Sequence, residues 1–550
     1  ASMQELVQVG EARIPGEVIA LTREAATVQV YEYTGGLRPG EPVVASGAPL
    51  SADLGPGLLG GVFDGMLRRL GNAGDWIETG ADLPTLQHDR RWSFQPATVA
   101  GVVGPGTLLG RVREHTVEHR VLVPPDVSGV VEWVAPASEL TVDDPVARIS
   151  GREVRLAHRW PVRRPRPAAE RLRGGAPLTT GQRALDLFFP IALGSTAAVP
   201  GGFGTGKTVL LQSIAKHCDA DVIVYVGCGE RGNEMADVLE ELPRLDDPRT
   251  GRPLTERTVL IANTSNMPVL AREASIHTGA TVAEFFRDMG YDVVLIADST
   301  SRWAEALREV ASRTGQLPAE EGYPAGLASA LAAFYERAGR VRTLSGREGS
   351  VTILGAVSPP GGDLTEPVSA HTRRFTRCTW SLDRDLAYAR HYPAVSWRDS
   401  SSRDAEVVAA WHFLQRDPSW RERRARALSL LAESDRLESI AQLVGVASLP
   451  DPERIVLLTG RLLREAVLQQ NALSPTDASC SPEKQSALLD LVLRLHERCL
   501  ELVEHGVAAA AIEEVDFSPV TRARDATGPD DDAAVAAVLL RVAPHLGALE

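Results

Sequence analysis

Lysine is scarce in this 550-residue sequence. The sequence also has neither an excess of basic residues nor a long run of apolar residues. Lysine occurs three times, at Lys207, Lys216 and Lys484, and the formal net charge is −14. A negative net charge disfavours a general nucleic-acid binder, which needs a basic surface. Because no run of about 18 apolar residues is present, the sequence predicts no membrane-spanning helix.

The cysteines and the most basic stretch narrow the classes of protein further. Five cysteines are scattered along the chain and no two form a CxxC pair. This disfavours a disulfide framework or a zinc site and predicts reduced thiols in a cytosolic protein. No secretory leader is visible. Residues 158–175 are rich in arginine and proline, and we interpret them as a solvated linker rather than a nucleic-acid arm.

What is present is ordinary globular composition, with 44% apolar and 24% charged residues, in a chain long enough for several domains. Its patterning predicts a multidomain α/β protein with an N-terminal β-barrel, an inserted all-β module, a central parallel-sheet domain and a C-terminal helical bundle. The predicted bounds are 1–50 for the barrel, 51–95 for the start of the central domain, 96–165 for the β module and linker, 166–400 for the main part of the central domain, and 401–550 for the helices.

A glycine-rich loop lies between a predicted strand and a predicted helix. Residues 201–208, GGFGTGKT, fit the phosphate-loop pattern GxxxxGK[ST]. Glycines let backbone N–H groups turn toward phosphate oxygens, the lysine reaches the β- and γ-phosphates, and the next hydroxyl ligates Mg²⁺. The sequence therefore predicts a P-loop (RecA-like) nucleotide-binding domain. The predicted nucleotide-binding residues of the loop are Gly201, Gly202, Phe203, Gly204, Thr205, Gly206, Lys207 and Thr208.

Two further apolar strands are predicted to end in carboxylates. Asp298 ends YDVVLIAD, where a P-loop enzyme holds the Mg²⁺ shell, and the alternative is a helix N-cap. Glu230 ends DVIVYVGCGE and is followed by Arg231 and Glu234. A carboxylate at this point polarises a water for attack on the γ-phosphate, and the alternative is a surface ion pair. Spacing alone leaves the two interpretations of Glu230 open.

Together these stretches resemble the rotary ATPases, and in particular the family of catalytic A subunits (alpha chains) of V/A-type ATP synthases. The strings GERGNEM, ADSTSRWAEALRE, EEGYPAGLAS, GAVSPPGGDLTEP and HYPAVSW occur in the family's order, as does LQQNALSPTDASCSPEKQ in the helical region. HRVLVPPDVSGVV and TVDDPVARI resemble the insertion that V/A-type catalytic chains carry. The resemblance covers nearly the whole chain.

The resemblance implies a catalytic subunit that hydrolyses or synthesises ATP with Mg²⁺ and couples this chemistry to rotation and to H⁺ or Na⁺ transport. ATP or ADP and Mg²⁺ are the implied ligands. The implied partners are a non-catalytic B subunit, alternating with this chain in an A3B3 ring, and the central rotor-stalk and peripheral-stalk subunits. The membrane sector is an indirect partner, and no nucleic acid is expected. The implied location is peripheral, on the cytoplasmic side of a membrane.

The resemblance also implies roles for single residues. The catalytic set comprises Lys207, Glu230, Arg231 and Arg302, and the metal set comprises Thr208, Glu234 and Asp298. Tyr392 matches an aromatic that stacks on adenine, and Leu473 stands where the family usually encloses adenine with Phe. The alternatives are a helix-surface charge for Arg302 and a core tyrosine for Tyr392. An arginine finger is expected from the neighbouring non-catalytic chain.

Further departures from the family pattern are visible. Gly326 stands where Tyr is common and is predicted to loosen a helix. Thr205 replaces the loop cysteine of eukaryotic catalytic chains, which excludes redox locking there. The family's first barrel strand does not precede Ala1, and we expect a trimmed N-terminus. The alternative functions are a degenerate or non-catalytic ring subunit, a Rho-like hexameric motor, and an export ATPase, which the inserted β module disfavours.

Overall fold

A computed structural model of the chain describes residues 1–71, 77–81 and 83–549. The chain divides into two compact units. The first comprises Ala1–Arg173, Leu193–Ala198 and Ala220–Thr376, and the second comprises Gly174–Ala192, Val199–Asp219 and Arg377–Glu550. Residues 72–76 and 82 of the predicted segment 51–95, and residue 550 of the segment 401–550, lie outside the described residues.

The first unit begins with the N-terminal β-barrel segment, a four-stranded antiparallel sheet in the order β3-β2-β1-β4. Its strands are β1 (Glu5–Val9), β2 (Ile14–Leu21), β3 (Ala26–Val30) and β4 (Val43–Pro49). Val7, Ile14 and Val18 are buried, because alternate residues of these strands face the core. Two short strands, β5 (Ser51–Leu54) and β6 (Val62–Phe63), lead out of the barrel.

The inserted all-β module consists of two four-stranded sheets, ordered β10-β9-β7-β12 and β14-β13-β11-β8. Its strands are β7 (Trp92–Pro96), β8 (Val102–Val103), β9 (Leu108–Glu114), β10 (Val117–Leu122), β11 (Gly129–Val134), β12 (Ser138–Leu140), β13 (Pro145–Ile149) and β14 (Arg152–Arg155). The buried side chains in the interior of this module include Phe94, Val112 and Val146.

The basic stretch after the module is a structural part of the first unit. Its first four residues form β15 (His158–Pro161), which pairs antiparallel with β5. Arg163 donates a 2.8 Å hydrogen bond to Glu17 in the barrel, and Arg166 pairs with Asp288 at 2.7 Å. The prediction of a solvated linker is therefore wrong for residues 158–163 and 166, whereas Arg164 and Pro165 are exposed. Charge density suggested exposure, but Arg163 and Arg166 each have a carboxylate partner.

The central elements follow in chain order. They are β16 (Glu170–Arg171), β17 (Pro177–Leu178), β18 (Ile191–Ala192), β19 (Thr196–Pro200), α1 (Lys207–His217), β20 (Val222–Glu230), α2 (Gly232–Glu241), β21 (Thr258–Thr264), α3 (Val269–Asp288), β22 (Asp292–Asp298), α4 (Thr300–Arg313), α5 (Leu327–Tyr335), β23 (Gly339–Arg342), β24 (Glu348–Val357) and α6 (Pro367–Phe375).

A parallel sheet forms the centre of the first unit, with β24, β22, β20, β21 and β6 in that order. The first residues of β19 lie beside β24, and β23 pairs with β24 antiparallel. Eight of the nine residues of β20 are buried, as expected for a parallel strand covered on both faces. The carboxyl ends of the parallel strands therefore meet at one edge of the sheet.

Gly326 occupies the N-cap position of α5, with φ −79° and ψ −1°. The expectation that it loosens a helix is wrong, because the helix begins only at Leu327 and glycine is accepted at an N-cap.

The second unit combines the residues around α1 with the helical C-terminus. Its later elements are β25 (Cys378–Thr379), α7 (Arg384–Tyr388), β26 (Ser401–Ser402), α8 (Ala405–Gln415), α9 (Trp420–Val444), α10 (Asp451–Leu462), α11 (Pro482–Glu504), α12 (Ala509–Glu513), α13 (Ser518–Ala526) and α14 (Asp532–Gly547). Ser481 caps α11 by accepting from the Lys484 N–H. None of the helices in the described ranges combines the length and hydropathy that crossing a bilayer requires.

Candidate active site

The glycine-rich loop connects the buried strand β19 to α1, which begins at Lys207. Gly204 and Gly206 have φ angles of 78° and 85°, which glycine adopts without strain. A Cβ on Gly201 would lie 2.7 Å from Thr205 Oγ1, so this position also disfavours a side chain. The loop therefore has the backbone of a phosphate cradle, followed directly by a helix N-terminus.

Side chains of the loop bind its own backbone. Lys207 Nζ donates hydrogen bonds to the carbonyl oxygens of Gly201 at 2.6 Å and Gly202 at 3.0 Å. Thr205, which is buried, donates from Oγ1 to the Gly202 carbonyl at 2.8 Å. Phe203 is 76% exposed, so it lies on the loop surface rather than in the core.

Tyr392 lies beside the end of the phosphate loop, within the same unit. A Cβ on Gly206 would be 3.8 Å from Cε1 of the Tyr392 ring, which is half-exposed. A ring with this exposure is unlike a core tyrosine. The Tyr392 carbonyl accepts a 2.7 Å hydrogen bond from the Gln470 N–H, and Leu473, three residues further, is 94% exposed. The loop, the tyrosine and the turn that carries Leu473 are therefore brought together.

In the first unit, Glu230 and Asp298 end the neighbouring parallel strands β20 and β22. Asp298 is buried, and Ser299 rather than Asp298 occupies the N-cap position of α4. The N-cap interpretation of Asp298 is therefore wrong. Glu230 is partly buried and shares a hydrogen bond with Glu234, which lies in the first turn of α2.

The electrostatics of this carboxylate group centre on Glu230. Burial, the negative charge of Asp298, and the hydrogen bond and charge of Glu234 raise the pKa of Glu230 to about 8, while Arg302 opposes the rise. A carboxyl with this pKa exchanges its proton near neutral pH, and added positive charge nearby would favour its ionised form.

The two predicted arginines occupy helix starts. Arg302, in the first turn of α4, donates from Nη1 to both oxygens of Glu305, at 3.1 Å and 3.0 Å. The side chain of Arg302 is half-exposed on the helix surface, and its charge also acts on Glu230. Arg231 is exposed at the N-cap position of α2.

The sequence patterns missed two residues of this group. Tyr225 lies within β20 and donates from its phenol to Asp298 Oδ2 at 3.1 Å, but in an apolar strand it resembled a core residue. Gly229 has a φ of 72°, and a Cβ there would lie 2.9 Å from the Cβ of Arg302 and 2.9 Å from Cδ of Arg272. The one feature of the sequence that points to Gly229 is its position directly before Glu230.

The predicted metal residues Thr208, Glu234 and Asp298 offer only oxygen donors. Across residues 1–71, 77–81 and 83–549, no three or more His, Cys, Asp or Glu side chains form a group able to hold a metal ion. Oxygen ligands of these kinds fit Mg²⁺, which keeps several waters and takes one or two protein carboxylates with substrate phosphates. Thr208 belongs to the second unit and the two carboxylates belong to the first.

Four family models match successive parts of the chain. The ATP synthase alpha/beta family beta-barrel domain matches residues 1–47, and the ATP synthase alpha/beta subunit barrel-sandwich domain matches 83–163. The nucleotide-binding domain of the ATP synthase alpha/beta family matches 181–402, and the C-terminal domain of V and A type ATP synthase matches 409–512.

Relatives that match over most of their length show to which branch of the ATP synthase alpha/beta family this chain belongs. The V-type ATP synthase alpha chain of Nitrosococcus oceani is 54% identical over 516 residues, covering 92% of this chain and 87% of the relative. The corresponding chain of the A-type ATP synthase of Ignicoccus hospitalis is 50% identical over 533 residues, covering 93% and 89%. The chain belongs to the V/A-type ATP synthase alpha-chain family.

Membership in the V/A-type alpha-chain family confirms the predicted fold class and the prediction of a catalytic rotary-ATPase subunit. As a V/A-type alpha chain, the protein binds ATP or ADP and assembles with other subunits into a rotary complex that couples ATP chemistry to ion transport.

A solved structure shares the fold of this alpha chain. The assembled ATPase EscN of the enteropathogenic E. coli type III secretion system matches with a TM-score of 0.64 and 22% identity, covering 90% of this chain and 95% of that one. At this identity the match concerns the fold alone.

Proposed function

We propose that this alpha chain carries out Mg²⁺-dependent hydrolysis or synthesis of ATP with Lys207, Glu230 and Asp298 as its principal catalytic and metal residues. The observation that carries the proposal is the intact phosphate loop, in which Gly204 and Gly206 have left-handed φ angles and Lys207 begins α1. This backbone directs N–H groups and the lysine toward the position of a bound nucleotide's phosphates.

The glycine-rich loop is the part of the proposed site that binds the phosphate groups of the nucleotide. Backbone N–H groups of residues 201–208 and the N-terminus of α1 bind the phosphate oxygens. Lys207 Nζ, bonded to two loop carbonyls at 2.6 Å and 3.0 Å, lies near enough to exchange one of them for a β- or γ-phosphate oxygen. The loop thus holds its positive charge ready before the nucleotide arrives.

The metal residues are Thr208, Asp298 and Glu234. Bound Mg²⁺ supplies neutralisation of the β- and γ-phosphate charges. Thr208 would contribute its hydroxyl, and the two carboxylates would hold the water shell. Tyr225 keeps one Asp298 oxygen in place by its 3.1 Å hydrogen bond.

Glu230 is proposed as the group that moves the proton. In hydrolysis its ionised carboxylate accepts a proton from the attacking water, and in synthesis the protonated carboxyl returns that proton to the departing oxygen of inorganic phosphate, which leaves as water. Its pKa of about 8 suits both directions near neutral pH. Arg231 and Arg302 would orient this carboxylate and balance charge at the phosphates, and Tyr392 with Leu473 would enclose the adenine.

The assembly proposed for this chain is an alternating A3B3 ring with a non-catalytic B subunit, which would supply an arginine finger. Central and peripheral stalk subunits would connect the ring to a membrane sector that moves H⁺ or Na⁺. The chain would then be a peripheral protein at the cytoplasmic face of the membrane. The support for this proposal is the identity to V-type and A-type relatives over most of their length.

Two lysines on one helix provide the test. The full chain would be assembled with the B subunit of its own complex, and Mg²⁺-ATPase turnover would be measured for Lys207→Ala and for Lys216→Ala, which changes the last turn of α1. We expect Lys207→Ala to abolish turnover and ATP binding while Lys216→Ala keeps both. Turnover that survives Lys207→Ala would remove the phosphate loop from the mechanism.

A further inference from the structure

Arg183 is a fully buried arginine whose hydrogen bonds converge on a single distant segment. Its guanidinium donates from Nε to the Val467 carbonyl at 2.8 Å and from Nη2 to the Gln469 carbonyl at 2.6 Å. It also forms an ion pair of 2.6 Å with Asp477, and both side chains are 0% exposed. One side chain thus binds the segment at 467, 469 and 477.

Asp477 fixes the turn that ends in Leu473. While Oδ1 pairs with Arg183, Oδ2 accepts a 2.7 Å hydrogen bond from the Asn471 N–H. Asn471 Oδ1 in turn accepts from the Leu473 N–H at 3.0 Å. A chain of three hydrogen-bonded contacts therefore runs from the buried guanidinium to the exposed Leu473.

Gln470 connects the same segment to Tyr392. Its N–H donates to the Tyr392 carbonyl at 2.7 Å, and its Oε1 accepts from the Arg183 N–H at 2.9 Å. Gln182 reaches the helix of the phosphate loop, since its Nε2 donates to Ser213 Oγ at 3.0 Å. The residues next to the buried pair thus bind both Tyr392 and α1.

The energetics of this arrangement favour positioning over simple stabilisation. A fully buried ion pair gains little net stability over apolar residues of similar shape, because both ions are desolvated. Arg183, however, presents a rigid planar fork whose donors select fixed acceptor positions. The pair therefore sets where residues 467–477 lie, more than how tightly the unit folds.

We infer that Arg183 and Asp477 are positioning residues for the adenine side of the nucleotide site. They place Tyr392 and the turn of Leu473 relative to Gly206 and the phosphate loop, without touching the nucleotide. The inference rests on the proposed function, in which Tyr392 and Leu473 contact the base. The inference makes affinity for the base depend on the pair of Arg183 and Asp477, which is buried behind the residues that would contact the nucleotide.

The decisive experiment compares two ligands, ATP and inorganic tripolyphosphate, each with Mg²⁺, on the full chain. The variants are Arg183→Lys, which keeps the charge but loses the fork, and the double variant Arg183→Met with Asp477→Leu, which removes both members of the ion pair together. We expect the dissociation constant for ATP to rise about tenfold in the double variant and less in Arg183→Lys. Tripolyphosphate affinity should stay within about twofold of wild type.

A second buried pair gives the matched control. Arg337 pairs with Glu284 in the first unit and also donates to the Val162 carbonyl at 2.7 Å. The double variant Arg337→Met with Glu284→Leu should keep the wild-type ratio of ATP to tripolyphosphate affinity. In the assembled complex, the Arg183 variants should raise KM for ATP while kcat changes little, which a general loss of structure would not produce.

Other outcomes separate the inference from the proposal beneath it. Folded Arg183→Lys with the wild-type affinity ratio and KM overturns the inference, even when the double variant fails to fold. An equal change of ratio in the Arg337 control also overturns it. A wild-type chain that binds ATP no better than tripolyphosphate contradicts the proposed base site itself, whereas Lys207→Ala should weaken both ligands.

Discussion

Tyr225 donates a 3.1 Å hydrogen bond from its phenol to Asp298 Oδ2, between the neighbouring parallel strands β20 and β22. Both side chains are buried, and burial together with the charge of Asp298 raises the pKa of Tyr225 well above its ordinary value. The phenol therefore keeps its proton and remains a donor. One oxygen of Asp298, the proposed metal-binding carboxylate, is thus held by Tyr225, which looks like an ordinary core residue in the sequence.

This relationship predicts that Tyr225→Phe weakens metal dependence without removing catalysis. The ring shape is retained and one hydrogen bond is lost, so we expect a stability loss of about 1 kcal/mol. Half-saturating Mg²⁺ in the ATPase assay should rise severalfold. Tyr291→Phe, which removes a 2.6 Å hydrogen bond to the Glu118 carbonyl, is the control and should leave Mg²⁺ dependence unchanged. An unchanged Mg²⁺ curve in Tyr225→Phe would contradict the role given to Tyr225 in holding the Asp298 carboxylate.

Glu230→Gln should retain nucleotide binding while turnover of the assembled complex falls by about 10²–10⁴. The amide keeps the size of the carboxyl but cannot accept the proton of the attacking water. Glu240→Gln, at an exposed position of α2, should keep wild-type turnover. ATP affinity and steady-state hydrolysis would be measured on the same preparations, and normal hydrolysis in Glu230→Gln would remove this carboxyl from the mechanism.

The raised pKa of Glu230 predicts a pH-dependent stability difference in nucleotide-free protein. Its pKa is about 8 in the folded chain against an ordinary value of 4.5, so the folded state binds more protons between these values. The carboxyl's contribution to stability is full below the ordinary pKa and is lost as pH rises through about 8. Relative to wild type, the Tm of Glu230→Gln should therefore rise steadily from about pH 5 to about pH 9. A difference that is independent of pH would contradict the shifted pKa.

Tyr392→Ala should raise KM for ATP about tenfold, since stacking of a base on an aromatic ring contributes about 1–3 kcal/mol. Tyr392→Phe preserves the ring beside Gly206 and should stay within about twofold of wild type. The matched control is Tyr388→Ala, which removes another exposed aromatic ring, at the last residue of α7. Equal KM values for all three variants would place the base elsewhere.

Local chemistry could be predicted from the sequence because it lies in short stretches. The phosphate loop follows from eight consecutive residues, and the strands that end at Glu230 and Asp298 follow from continuous apolar runs. These features depend on backbone geometry and on the position where a parallel strand stops. The family resemblance rests on the same local strings.

Long-range partners could not be predicted in this way. The sequence predicts a solvated linker at residues 158–175 because the charges are visible in it and their partners are not, but Arg163 and Arg166 have carboxylate partners. Tyr225 was hidden for the opposite reason, since an apolar strand conceals a polar contact made across the sheet.

The sequence by itself determined the class of chemistry, a phosphate loop with strand-end carboxylates, because glycine, lysine and carboxylate spacing along the chain dictates it. Only the tertiary structure decided which groups surround that chemistry. Arg183 and Asp477 are 294 residues apart and meet in the second unit at 2.6 Å. No local pattern encodes such a pair, since its energy comes from burial and geometry that exist only once the chain has folded.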